Sequence, residues 1–264
     1  MAHDNNVFNT LKDIRVEGED EGTEAKTPIS TLVLLNCPTG DQNLLPLLWA
    51  KSASNICCDG AANALYEDQT TRLVPDVIIG DLDSLKSEIK ALAVGQSTVI
   101  HDKCQDTTDL QKALSYVLNN KKTNPPASGT HELVVIYGAG GLKSRFDHVM
   151  SQISALYEFT PQFAALNIRL VLLFDHNLCE LLLPGSHGLS PSRVFEGAGT
   201  HCGLIPFLPV QSISTTGLEW NMENQKSTFG GMMSTCNKLT GAEVTIKTSE
   251  PVIWTTSFGE LTPI

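Results

Sequence analysis

The chain has 264 residues, 41% of them hydrophobic and 18% charged, which is enough for one large domain or two modest ones with an ordinary core. A formal net charge of −11 excludes bulk binding to nucleic acid or to an anionic membrane, where a basic face is needed. No apolar run reaches the roughly 20 residues of a membrane span, the amino terminus lacks a secretory pattern, and seven scattered cysteines with no CxxC read as thiols of a reducing compartment, the cytoplasm.

Residues 1–28 are polar and locally acidic and are read as a disordered tail. From residue 29 strands and helices alternate. Residues 31–36 (TLVLLN) form a short buried strand and 44–50 a helix. A second strand covers 55–58 and is followed by Asp59-Gly60-Ala61-Ala62-Asn63 and a helix to about 67. A third strand, 76–79, ends in Gly80-Asp81-Leu82-Asp83. A helix over 84–92 takes Ser84 as its candidate N-cap. A fourth strand covers 97–100. Leu110, Ala113, Leu114, Val117 and Leu118 share one face of a helix over 107–118, and residues 121–131, with two prolines and a glycine, read as a loop. A strand at 132–137, a helix at 146–159 and a strand at 168–174 complete the series. Near-continuous apolar strands alternating with helices argue for a mostly parallel α/β/α sheet domain over residues 29–176. After it the helical period disappears. Short candidate strands at 179–183, 201–207, 212–216, 227–229, 243–248 and 252–257, separated by turn signals, predict an all-β sandwich over 177–264.

Ligands of open α/β sheets bind beyond the carboxyl ends of the strands, and three chemically matched segments fall there. Asp81 and Asp83 are spaced i and i+2; on extended backbone both would face one cation, and Mg²⁺ takes one or two carboxylates plus substrate phosphate. A helix cap at Asp83 or Ser84 explains the same residues. Gln105-Asp106-Thr107-Thr108-Asp109 puts two more acids at a helix start, where capping is again an alternative. Asp106 near Asp81 and Asp83 would complete a metal site. Gly138, Gly140 and Gly141 follow a strand and precede a helix, so their backbone N–H groups suit phosphate; Arg145 suits a bidentate phosphate contact, and Asp147 suits either Arg145 or substrate. The loop is neither a Walker A nor a GxGxxG sequence. Asp59 and Gly60 fit a ribose contact or a helix cap. In the β region Trp220 is either a core residue or a platform for a flat cationic heteroaromatic.

Seven segments together carry a resemblance: CDGAAN (58–63), PDVIIGDLDS (75–84), QDTTD (105–109), GGLKSRFDHVM (140–150), HCGLIPF (201–207), TTGLEWN (215–221) and STCN (234–237). In order and spacing the chain resembles the eukaryotic thiamine pyrophosphokinases from about residue 30 to 257. Two positions depart from the family pattern, Ala61 where a second glycine is usual and Ser144 where a glycine precedes the arginine. The resemblance implies transfer of a pyrophosphoryl group from ATP to the hydroxyl of thiamine, with Mg²⁺, in a homodimer whose thiamine sites lie at the interface. It implies metal ligands Asp81, Asp83 and Asp106, with Arg145 and Asp147 also in the catalytic set. ATP contacts fall to Asp59, Gly60, Gln105, Asp109, Gly138, Gly140, Gly141 and Arg145, and thiamine contacts to Trp220, Asn221, Ser234 and Asn237. The residues alone also admit a metal-dependent phosphohydrolase or a nucleotide- or thiamine-binding sensor without turnover.

Overall fold

The computed structural model describes residues 14–16, 29–36, 44–68, 72–128, 132–138, 145–174, 177–189, 200–240 and 243–257. The chain divides into two compact units, one of residues 27–175 and one of 176–264 together with 1–26. Within the segment read as a tail, Ile14–Val16 form strand β1.

The first unit is an α/β sheet. Its strands are β2 (Ile29–Leu34), β3 (Asn55–Cys58), β4 (Val77–Gly80), β5 (Thr98–His101), β6 (Glu132–Tyr137) and β7 (Ile168–Phe174). They pair in parallel in the order β7-β6-β2-β3-β4-β5. Residues of β2, β3 and β4 are buried throughout, as strands covered on both faces must be, whereas the edge strand β5, Thr98-Val99-Ile100-His101, is exposed at both ends and only partly covered between them. The connecting helices are α1 (Leu44–Lys51), α2 (Ala61–Glu67), α3 (Ser87–Ala93), α4 (Asp109–Thr123) and α5 (Phe146–Ala164). Helix α4 packs on α5 and across β2, β3 and β4, while α2 packs on α3. The chain runs outward from β2 to β5, then returns to β6 on the other side of β2.

Three helix boundaries differ from the sequence reading. Helix α4 continues through Thr123, because Lys121 and Lys122 suit its carboxyl-terminal turn and Thr123 Oγ1 donates to Asn119 O at 3.0 Å. Helix α5 continues past residue 159 to Ala164, held by the fully buried Phe163, and tolerates Pro161 inside it. Ser84 does not cap α3; Lys86 occupies that position without a capping side-chain bond, and Ser84 is engaged elsewhere.

The second unit is antiparallel. One sheet has the order β1-β9-β14-β11-β12, with β9 (Gly185–Leu189), β11 (Val210–Thr216), β12 (Gln225–Ser227) and β14 (Val244–Thr248). The other four strands follow the order β13-β10-β15-β8, with β8 (Asn177–Leu182), β10 (His201–Ile205), β13 (Ser234–Lys238) and β15 (Val252–Ser257). Strand β14 alternates buried and exposed residues, so one face is wet. Leu182, Leu204 and Trp254 from one set share a core with Leu189, Ile213 and Ile246 from the other, which is the sandwich. The architecture is therefore the expected one, a mostly parallel α/β sheet followed by antiparallel β structure. No helix among the described residues is long and apolar enough to cross a membrane.

Candidate active site

Strands β3 and β4 are neighbours, so the residues that leave their carboxyl ends meet. Asp59 follows β3 with φ +42° and is 3% exposed. One of its oxygens, Oδ2, accepts from Ser84 N at 3.0 Å; Oδ1 is buried and has no hydrogen-bond partner. Burial raises its carboxyl above the usual range. Asp81 follows Gly80 at the end of β4. Its Oδ2 accepts from Gln105 Nε2 at 3.1 Å and its Oδ1 from Asp83 N at 3.3 Å, and these bonds, the Gln105 one foremost, lower its pKa. Asp109 is the first residue of α4. Thr108 and Gln111 form a reciprocal capping box there, so no aspartate is needed as a cap and the Asp109 side chain is left for other work.

Asp59, Asp81 and Asp109 each offer a carboxylate oxygen within 4.8 Å of the others. Gly80 makes this approach possible, since a Cβ there would stand 2.8 Å from Asp59 Cβ and 3.0 Å from Asp109 Oδ1. Three acids this close repel one another. Part of the repulsion is offset by Lys112, one turn along α4, whose Nζ lies 3.1 Å from Asp109 Oδ1. Hard oxygen donors with one buried, unpartnered carboxylate oxygen suit a divalent cation of the Mg²⁺ class.

Of the residues read as metal ligands, the structure brings only Asp81 into this trio. Leu82 adopts φ +59°, so the backbone between Asp81 and Asp83 is not extended and the expected shared facing of the two acids is lost. Asp83 Oδ1 instead accepts from Ser84 Oγ at 2.9 Å. Asp106 is exposed in the turn before α4. The loops after β3 and β4 are laced together by Asn63, whose Nδ2 donates to Ser84 O at 2.8 Å and whose Oδ1 accepts from Lys86 N at 3.0 Å. Gly60 lies in the same seam, where a Cβ would come 2.6 Å from Asn36 Nδ2. Gly138 follows β6, and its N–H donates to Leu173 O at 2.9 Å. Gly140 and Gly141 lie outside the described residues. Arg145 and Asp147, both exposed at the start of α5, pair through two hydrogen bonds, Nε to Oδ1 at 3.1 Å and Nη2 to Oδ2. The pairing raises the arginine and lowers the aspartate. Cys57 is a buried thiol whose pKa is pushed up by desolvation, consistent with a core residue.

The second unit presents Trp220 with 55% of its surface exposed. Of the polar residues read as its companions, Ser234 and Asn237 are buried and Asn221 is exposed. Asn237 is 2% exposed; its Oδ1 accepts from Trp220 N at 3.1 Å and Lys238 N at 2.9 Å, and its Nδ2 donates to Trp220 O at 2.8 Å and Ser234 Oγ at 3.1 Å. Asn221 closes the turn that contains the tryptophan, accepting from Leu218 N at 3.1 Å and donating to Leu218 O at 3.0 Å. These side chains hold the tryptophan's backbone. The ammonium of Lys238 sits 5.9 Å from the Trp220 ring centroid, a cation-π distance.

Sequence reasoning did not single out Asn63 or Lys112. The spacing of Lys112 from Asp109, i and i+3 on a helix, was available as a signal.

Residues 45–170 match the family model described as thiamin pyrophosphokinase, catalytic domain. Residues 188–253 match the one described as thiamin pyrophosphokinase, vitamin B1 binding domain. Thiamine pyrophosphokinase 1 of Oryza sativa subsp. japonica is 39% identical over 230 residues, 80% of this chain and 81% of the rice protein. Thiamine pyrophosphokinase 1 of Arabidopsis thaliana is 33% identical over 227 residues, 80% of each chain. The crystal structure of yeast thiamin pyrophosphokinase superposes with a TM-score of 0.74 at 22% identity, covering 92% of this chain and 89% of the yeast one.

Proposed function

The chain belongs to the thiamin pyrophosphokinase family, and we propose from that premise that its carboxylate cluster serves ATP-dependent pyrophosphorylation of thiamine. The observation that carries the reading is the Asp59–Asp81–Asp109 trio, with its orphaned Asp59 oxygen, at the strand ends of the segment matched by the catalytic-domain model. In the reaction the thiamine hydroxyl oxygen bonds to the β-phosphorus of ATP, the bond from that phosphorus to the AMP oxygen breaks, and AMP leaves with thiamine diphosphate as the other product.

Asp59, Asp81 and Asp109 would hold Mg²⁺; Asp81 is kept from the sequence-derived ligand set, and the other two take the places read for Asp83 and Asp106. When bound, the ion neutralises polyphosphate charge that grows as the bond to AMP breaks. Gln105 fixes the Asp81 carboxylate by its hydrogen bond. Arg145 exchanges Asp147 for phosphoryl oxygens, a trade that exposed pairs make at little cost. Transition states of this loose kind need little general-base help, so the hydroxyl proton passes to solvent or to a nearby carboxylate. Trp220 stacks on the cationic thiamine ring, in the segment matched by the vitamin B1 binding model.

The active form in this reading is a homodimer in the cytoplasm, with the residue 29–176 domain taking ATP and the residue 177–264 domain taking thiamine and forming the interface. Exposed apolar side chains of the β unit, Leu208, Trp220, Phe229 and Met232, support an interface there. Incubation with Mg²⁺, ATP and thiamine tests the reaction. AMP and thiamine diphosphate are expected in equal amounts; ADP with thiamine monophosphate, or phosphate release without thiamine, would overturn it. Light scattering of the purified protein tests the dimer, and a fully active monomer would remove it.

A further inference from the structure

Lys112 stands in a place that two general tendencies oppose. Its side chain keeps only 2% of its surface exposed, although lysine is almost never fully buried unless paired. It also lies at the end of the first turn of α4, where the helix macrodipole disfavours a cation. Helix geometry carries it to Asp109, three residues back on the same face, and Nζ donates to Oδ1 at 3.1 Å. Its charge is also felt by Asp81 and Asp102. Burial and dipole are both offset by the carboxylates around it, Asp109 foremost.

That cluster is more than a group of acids, because its member Asp59 is 3% exposed and the Oδ1 of that side chain has no hydrogen-bond partner among the described residues. Three ionised carboxylates and one ammonium sum to a formal charge of −2, the charge that a single divalent cation neutralises. With Oδ1 of Asp109 engaged by the ammonium, the second oxygen is left for an ion.

We propose that Lys112 is the resident counter-ion of the Asp59–Asp81–Asp109 cluster and a positioning residue for Asp109, so that the protein's own residues hold one divalent cation and no second. The proposal rests on the metal-site reading above and deepens it by assigning the stoichiometry and a residue that enforces it.

The test is Mn²⁺ binding to the full chain without nucleotide, followed by the electron paramagnetic resonance of free Mn²⁺. Wild type is expected to saturate at one ion. Lys112→Gln can still donate to Asp109 but has no charge. It is expected to bind Mn²⁺ about tenfold more tightly, the size of removing one like charge near a partly solvated site. Lys112→Arg keeps the charge and is expected to stay within about twofold of wild type, by the same reasoning. A folded Lys112→Gln with unchanged or weaker Mn²⁺ affinity overturns the proposal, as does an arginine variant that behaves like the glutamine one. Two ions on wild type overturn it without recourse to any variant, which covers the case in which both variants fail to fold. Asp81→Asn separates the two readings. If it leaves Mn²⁺ binding intact, the metal site itself is wrong and Lys112 falls with it. If it abolishes binding while Lys112→Gln changes nothing, only the role of Lys112 is lost.

Discussion

The two units place their chemistry in opposite ways. In the α/β unit the carboxylate trio is drawn in: Asp59 is buried, Asp81 and Asp109 are half-buried, and each depends on neighbours for hydrogen bonds or charge balance. In the β unit the candidate ligand surface, Trp220, is pushed out, and the buried Asn237 side chain is turned inward to hold its backbone. A low-dielectric setting strengthens the pull of carboxylates on a cation, so drawing them in suits ion binding. An aromatic face works by contact area and must be reachable, so rigidity is supplied from beneath it.

The largest expected effect tests the first half of this contrast. Asp81→Asn removes a charge that the fold does not need, since the carboxylate bonds only to Gln105 and to the backbone of Asp83. Turnover should fall on the order of a hundredfold to a thousandfold, the range for losing one electrostatic contact to the transferring group. The melting free energy should move within about 0.5 kcal/mol, as for an ordinary surface substitution. Steady-state kinetics beside thermal melts check both. Equal loss of activity and stability would make Asp81 a structural acid.

The second half is tested by a pair of variants. Asn237→Ala leaves Trp220 N and Lys238 N without their acceptor in a buried setting and should destabilise the protein by about 1–3 kcal/mol, with weaker thiamine binding as a consequence. Trp220→Ala removes a mostly exposed ring. It should leave stability nearly unchanged while weakening thiamine binding by about 1–2 kcal/mol, the value of a partly desolvated cation-π contact, with ATP binding kept. Denaturant melts and calorimetric titration separate the two. If both variants lose only stability, Trp220 is packing and not a platform.

These contrasts explain what the sequence made legible. Continuous apolar runs such as residues 77–79 specify buried parallel strands, and the acids at their ends point to cation and phosphate chemistry. Which acids meet depends on strand order and on single backbone angles. Asp59 and Asp81 meet because β3 and β4 pair, and Asp83 turns away because Leu82 is left-handed; neither fact is written in a local pattern. Strand β9, GSHGL, carries little β-propensity and is specified by its partners β1 and β14, and edge strand β13, STCNK, reads as a polar loop. Asn237 looked like a ligand contact because an exposed polar residue and a buried backbone clamp have the same letter.

Asp59 gives the smallest effect and the one with a sign that is easy to mistake. Burial raises its folded pKa, so the fold favours the protonated carboxyl relative to the unfolded chain. An unfolded aspartate loses its proton near pH 4, by reference to a value of about 3.9. As pH rises from there through the raised folded value, the metal-free protein loses stability, and the loss persists at neutral pH. Asn at this position keeps an acceptor for Ser84 N–H and tolerates the left-handed backbone. Metal-free Asp59→Asn should therefore melt higher than wild type at pH 7, by about 2–4 °C for a gain near 1 kcal/mol in a chain of this size. The difference should vanish below about pH 4, where both side chains are neutral. Added Mg²⁺ should stabilise wild type and leave the variant almost unmoved, so the order of the two melting temperatures narrows or reverses. A lower melting temperature for the metal-free variant at pH 7 would mean that Lys112 and the neighbouring backbone already satisfy the carboxylate, and that the drawn-in site carries no stored cost for an ion to relieve.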